Sequence, residues 1–178
     1  MIDDNGPLHN NRDFFALKHA IVMEEWKVAN TNIGRLDSVV FTIRGWAITT
    51  TTAAVAYAYT KPDPRVCMLI LIPLLFLWLI DALFKTFQRV FIDRSKEIEV
   101  YLASDSFEQD FQDERMSRFV SPELSIRFGQ NSSGERLRKV IEQAFLRNVV
   151  FTYVPLIIFA MIAYGAVKIS QPLRGSGL

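Results

Sequence analysis

Residues 149–167 read VVFTYVPLIIFAMIAYGAV, 19 consecutive positions without a charged side chain. As an α-helix rising ~1.5 Å per residue the run is about 28 Å long, close to the ~30 Å hydrocarbon core of a bilayer. A chain of 178 residues has too little protein to cover such a helix on every side in water. The run therefore reads as a membrane span, and the rest of the chain is organised around it.

Two further spans lie upstream. Val66 to Phe84 is apolar, with Pro73 inside it and Asp81 as its one charge. Gly45 to Tyr59 is apolar but rich in threonine, and reaches full length by extending back past Arg44 to Val39. Between them stands Thr60-Lys61-Pro62-Asp63-Pro64-Arg65, a six-residue link with two prolines that stops one helix and turns into the next. The fold class expected is all-α: an integral membrane protein with a two-span hairpin, a third span and cytoplasmic amphipathic helices. The regions expected are 1–38 (N-terminal helix), 39–84 (hairpin), 85–148 (cytoplasmic helical region) and 149–178 (third span and outer tail).

Composition agrees with this segregation. Half the residues are hydrophobic while 22% are charged, and the two kinds occupy different stretches. A net charge of +1 argues against a nucleic-acid-coating protein, so no direct nucleic-acid partner is expected. Cys67 is the sole cysteine, which excludes an internal disulfide and a thiolate metal cluster. Met1-Ile2-Asp3-Asp4 is acidic where a signal peptide would be basic, so the spans are expected to be retained.

Lysine and arginine set the expected orientation. Five precede the first span, eleven lie between Lys85 and Arg147, two stand in the hairpin turn and two follow the third span. Sixteen against four puts the N-terminus and the long loop in the cytoplasm and the C-terminus outside.

The polar segments read as helix. Phe14, Leu17, Ile21 and Val28 recur at three-, four- and seven-residue steps, predicting an amphipathic helix that leads into the first span, with a break at Asn30-Thr31-Asn32-Ile33-Gly34. Phe84, Phe87, Phe91, Ile98 and Tyr101 form a heptad-like stripe interrupted by Arg94, so the second span is expected to continue to about Leu102. Asp105 to Glu114 is expected to turn or fray. Ser121-Pro122-Glu123 reads as a helix start, and Ser132-Ser133-Gly134-Glu135 as a capping box opening another helix. Lys85, Arg89, Arg94, Arg136, Arg138 and Arg147 are expected to face water or lipid phosphates.

Three groups of residues stand out as candidate sites. Asp81 is a carboxylate in an apolar span, and its partner is expected to be Lys85, four residues on, or Arg44. Thr49, Thr50, Thr52, Ala54 and Ala58 form a small-residue surface suited to a pore wall, an oligomer interface or close packing within one hairpin. Arg12 and His19 resemble the loose Arg-to-His motif of the HEPN ribonucleases, but with thirteen arginines such spacing arises readily, and Arg12 is read as solvated. No metal-ligand spacing, nucleophile motif or paired carboxylate is present. No catalytic residue, metal or cofactor is assigned, and the chain is not expected to be an enzyme.

An N-terminal helix through Ile33-Gly34-Arg35-Leu36, a span rich in threonine and alanine, a short turn, and a second span running into a long charged helix form a recognisable plan. It resembles the SLATT group of bacterial two-transmembrane effectors of anti-phage defence, and is similar to membrane accessory proteins of RNA-targeting CRISPR loci. The likeness covers roughly residues 11–104, and the third span is additional to it. It implies an oligomeric effector or channel-like protein that permeabilises or depolarises the inner membrane, with the bilayer, further copies and a defence-system sensor or effector protein as partners. The alternatives are a membrane-tethered HEPN-like ribonuclease using Arg12 and His19, or a passive adaptor recruiting a soluble partner.

Overall fold

The structure is a computed structural model that describes residues 7–61, 63–123 and 133–175. Among these residues every regular element is a helix: α1 Pro7–Thr60, α2 Arg65–Leu69, α3 Leu71–Leu102, α4 Asp105–Gln112, α5 Ser133–Ala144 and α6 Arg147–Gly175. Three helical stretches are long and apolar enough to cross a membrane, within Asn11–Thr60, Arg65–Leu102 and Arg147–Ser170. The chain divides into two compact units: residues 1–35 with 87–132, and residues 36–86 with 133–178. In this division α5 groups with the apolar helices.

The apolar unit holds the second half of α1, all of α2, the first half of α3, and α5 and α6. Pro73 lacks an N–H, so the carbonyl of Leu69 has no helical donor and a turn at Ile70 separates α2 from α3. The Leu74 N–H still reaches the Ile70 carbonyl at 3.1 Å, which carries the chain across the interruption. Val55, Ala58, Cys67, Ala163 and Val167 form one buried cluster, and Ala47, Leu74, Val149 and Tyr153 another. The alanines inside these clusters let the helix backbones approach closely. The indole of Trp78 donates to the carbonyl of Ala144 at 2.9 Å, satisfying an end carbonyl of α5, and the ring of Phe145 packs edge-on against it. Those contacts tie α5 to the spans.

The polar unit holds the first half of α1, the second half of α3, α4 and the strap that follows it. Its core is Val22, Ile98, Tyr101 and Met116, with Phe15, Trp26, Phe107 and Phe119 around it. The expected break near Gly34 is absent, and α1 runs through it. Asn30 and Asn32 each donate to a carbonyl one turn back, and Asn30 also bonds Ser95, so residues that favour turns are absorbed by the helix. The expected fraying over 105–114 is also corrected. Asp105 and Glu108 sit in the first turn of α4, where negative charge suits the positive end of the helix dipole. Residues 121–123 lie outside any helix, while Ser132 and the stretch after Glu123 lie outside the described residues. The helix expected from Ser133 is present as α5.

Candidate functional site

In the apolar unit, Asp81 is fully buried, and α1 brings Arg44 to it. The guanidinium forks onto the carboxylate, with Nε to Oδ2 at 2.7 Å and Nη2 to Oδ1 at 3.4 Å. Lys85 reaches across to Asp37 at 3.2 Å. Of the two expected partners of Asp81, the structure selects Arg44. Two opposite charges share one low-dielectric site, each supplying what the other lost on leaving water. Their geometry pins α1 against α3 in one register.

The threonine run divides by face. Thr51 is fully buried and donates to the Ala47 carbonyl at 2.7 Å. Thr49, Thr50 and Thr52 are exposed, Ala54 is half-buried, and Ala58 is buried against Cys67 and the third span. The Thr50–Ala54–Ala58 spacing therefore winds from the surface into the unit's own core. Steps of four residues drift by about 40° on a helix of ~3.6 residues per turn, so the stripe leaves the face on which it begins. The small residues that stay outside are Thr42, Gly45, Thr49, Thr50, Thr52, Ala53, Ala56 and Thr60. A Cβ added at Gly45 would meet nothing within 4 Å. The outward faces of the other spans are bulky: Ile72, Leu75, Phe76 and Leu79 on α3, and Phe151, Ile158, Ile162 and Ile169 on α6.

In the polar unit, Arg94 is the hub. Its side chain is only 2% exposed and bonds Glu25 through Nε at 3.0 Å and Nη2 at 2.9 Å. It also reaches Glu123 at 3.1 Å, Glu97 at 3.4 Å and the Val120 carbonyl at 2.7 Å, and lies over the Phe119 ring. Ser121 and the Glu123 amide complete the shell of the Glu25 carboxylate. Glu25 stands fourteen positions before Val39, outside the spanning part of α1. Burial pushes its carboxyl up, but hydrogen bonds from Arg94, Ser121 and the Glu123 amide, with the Arg94 charge, outweigh that and hold it at about 2. The expectation that Arg94 faces water is thus overturned. Its five donors are satisfied inside, which an apolar side chain in that stripe could not do for Glu25.

A second buried carboxylate, Asp110, accepts from Tyr101 at 2.8 Å, from Arg118 Nη1 at 3.1 Å and from the Arg118 amide at 3.3 Å. Burial and the Asp110 charge push the Tyr101 phenol up. Arg12 is exposed and ion-paired with Glu114, while His19 stacks on Phe15 and lies near Phe107. Both histidine contacts are aromatic packing. Among the described residues no group of His, Cys, Asp or Glu is placed to hold a metal ion. The sequence did carry a signal for the Arg94 hub: a charge where the α3 stripe calls for an apolar residue, with Glu25 on the helix that packs against it.

Compared with known proteins, the chain matches no protein family, and no curated protein or solved structure is significantly similar to it.

Proposed function

We propose that the chain is an oligomeric effector of a bacterial inner membrane, with its N-terminus in the cytoplasm, that depolarises or permeabilises the membrane in anti-phage defence. The observation that carries this reading is the contrast between the outward faces of the spans. Lipid-facing helices tolerate bulk, and α3 and α6 present it. The spanning half of α1 also presents Phe41, Trp46, Ile48, Tyr57 and Tyr59, but between them runs a strip of Gly45, Thr49, Ala53 and Ala56, small side chains that let two helices come into close contact in lipid. The Arg44–Asp81 pair supports the reading by neutralising the charges inside each subunit, so that copies meet through uncharged surfaces. The excess of lysine and arginine before the first span and between the second and third supports the orientation.

Three helices enclose too little space for an aqueous path, so permeabilisation requires several copies. Native mass measurement in mild detergent, paired with a membrane-potential dye in cells expressing the chain, tests the proposal. The expected result is a defined multimer together with loss of potential under the activating condition. A strict monomer at every concentration ends the reading.

A further inference from the structure

The amphipathic pattern at the start of α1 does not point where amphipathic patterns usually point. Val22, Trp26 and Ala29 face the core of the polar unit, whereas Phe14, Leu17, Ile21 and Val28 face outward, Phe14 and Leu17 being 56% and 58% exposed. Such a row in water calls for a partner. We infer that this stripe docks onto the same stripe of a second copy of the chain, the two helices lying parallel. The inference rests on the proposed oligomer, because copies inserted with one topology present their α1 helices in the same direction.

Spacing and charge favour that occupant. Phe14, Ile21 and Val28 are seven residues apart, with Leu17 three after the first, the a and d positions of a coiled-coil seam. In a parallel pair the residue before one a position faces the residue four after it on the partner helix. Here those residues are Asp13 and Lys18, of opposite sign. Lys18 lies against the seam, its Nζ 5.0 Å from the Phe14 ring centre while it donates one hydrogen bond to the Met116 carbonyl at 2.9 Å and keeps two further donors. The same seven-residue step from Phe14 passes Arg35, which ends the apolar part of the seam, and then arrives at Thr42, Thr49 and Ala56 in the spanning half. The residue type changes with the solvent, apolar where water drives association and small where only close contact does. A lipid surface fits less well, since lipid-binding helices flank their apolar face with Lys and Arg on both sides, and here Asp13 and Glu24 border one side while Lys18 borders the other. Glu24 and Thr31 at the next two d positions keep the seam short. Four apolar side chains a side fall well below the roughly 800 Å² per partner of a free-standing interface. The contact therefore forms where the spans hold the copies at high effective concentration.

Cysteine cross-linking of the full chain in native membranes, in a Cys67→Ala background, tests this. Bridging requires Cα atoms within about 7 Å. Ile21→Cys is expected to form dimers at least tenfold more efficiently than Ala16→Cys, an exposed position on the far side of the helix. Thr49→Cys reports the spanning contact separately. Bridging at Thr49→Cys but not at Phe14→Cys, Ile21→Cys or Val28→Cys overturns the inference and leaves the oligomer standing. Bridging at Ile21→Cys alone supports the inference and removes the spanning interface. Bridging at none of them overturns both.

Discussion

The guanidinium of Arg44 and the carboxylate of Asp81 meet at 2.7 Å across α1 and α3, with the Asp81 side chain wholly shielded from outside. Removing one member leaves a bare charge in a low-dielectric setting, which typically costs about 3–5 kcal/mol. Replacing both with apolar residues removes the debt along with the attraction. Asp81→Leu and Arg44→Met are each expected to lower the thermal midpoint in detergent strongly, while the double variant recovers most of the loss. A double variant as unstable as the worse single one would mean the pair does more than compensate itself.

The Glu25 carboxyl, held at about 2, supplies a pH dependence with a definite sign. An unfolded glutamate titrates near 4.3, so the folded value is depressed. The stabilisation is complete above about pH 5 and is lost as pH falls from the unfolded value through the folded one. Amide protection of residues 116–123, corrected for intrinsic exchange, is expected to stay level from pH 7 to about pH 5 and then fall. Glu25→Gln should lower protection at neutral pH and flatten the profile. An unchanged profile in that variant would remove Glu25 as the cause.

Much of the fold was legible because helices long and apolar enough to cross a membrane are written in composition. The hairpin, the third span and the extension of α3 to Leu102 all follow from apolar runs and the absence of breakers. Faces were harder to read. Phe14, Leu17, Ile21 and Val28 show helical periodicity, yet so do Phe15, Val22 and Ala29 one position along, with Trp26 four after Val22, and periodicity cannot say which row a chain buries itself. Arg94 was misread for a related reason. A lone arginine is usually solvated, and only the arrival of Glu25, Ser121 and Glu123 from distant positions makes its burial tolerable. The Thr50–Ala54–Ala58 spacing failed through helical drift, which sequence alone does not place relative to a core.

Topology is checked by fusions. The count of sixteen lysines and arginines against four is expected to place a reporter inserted at Asn131 in the cytoplasm and one fused after Leu173 outside. Finding both on one side would mean that α6 does not cross, whatever its length and hydropathy.

The outward small face of α1 gives the last expectation. Thr49 lies between Gly45 and Ala53, all three exposed, so a leucine there adds one heavy atom and reaches one bond farther where a neighbouring backbone would lie. Within one subunit the change should cost little, because Thr49 is outside the core clusters that contain Ala47, Val55 and Ala58. Between subunits it should hold the helices apart and raise the dissociation constant of the oligomer by tenfold or more, about 1.4 kcal/mol. Thr50→Leu, on the flank of that face, should have a smaller effect, since the Thr50 hydroxyl is already spent on the Trp46 carbonyl at 2.7 Å. Ile72→Leu, on the bulky face of α3, should be silent. Oligomer mass and membrane potential, read for all three beside wild type, separate the cases. If Thr49→Leu assembles and depolarises like wild type, the spanning half of α1 faces lipid alone. The association surface would then have to lie on α6 around Pro155, where no comparable run of small residues faces outward.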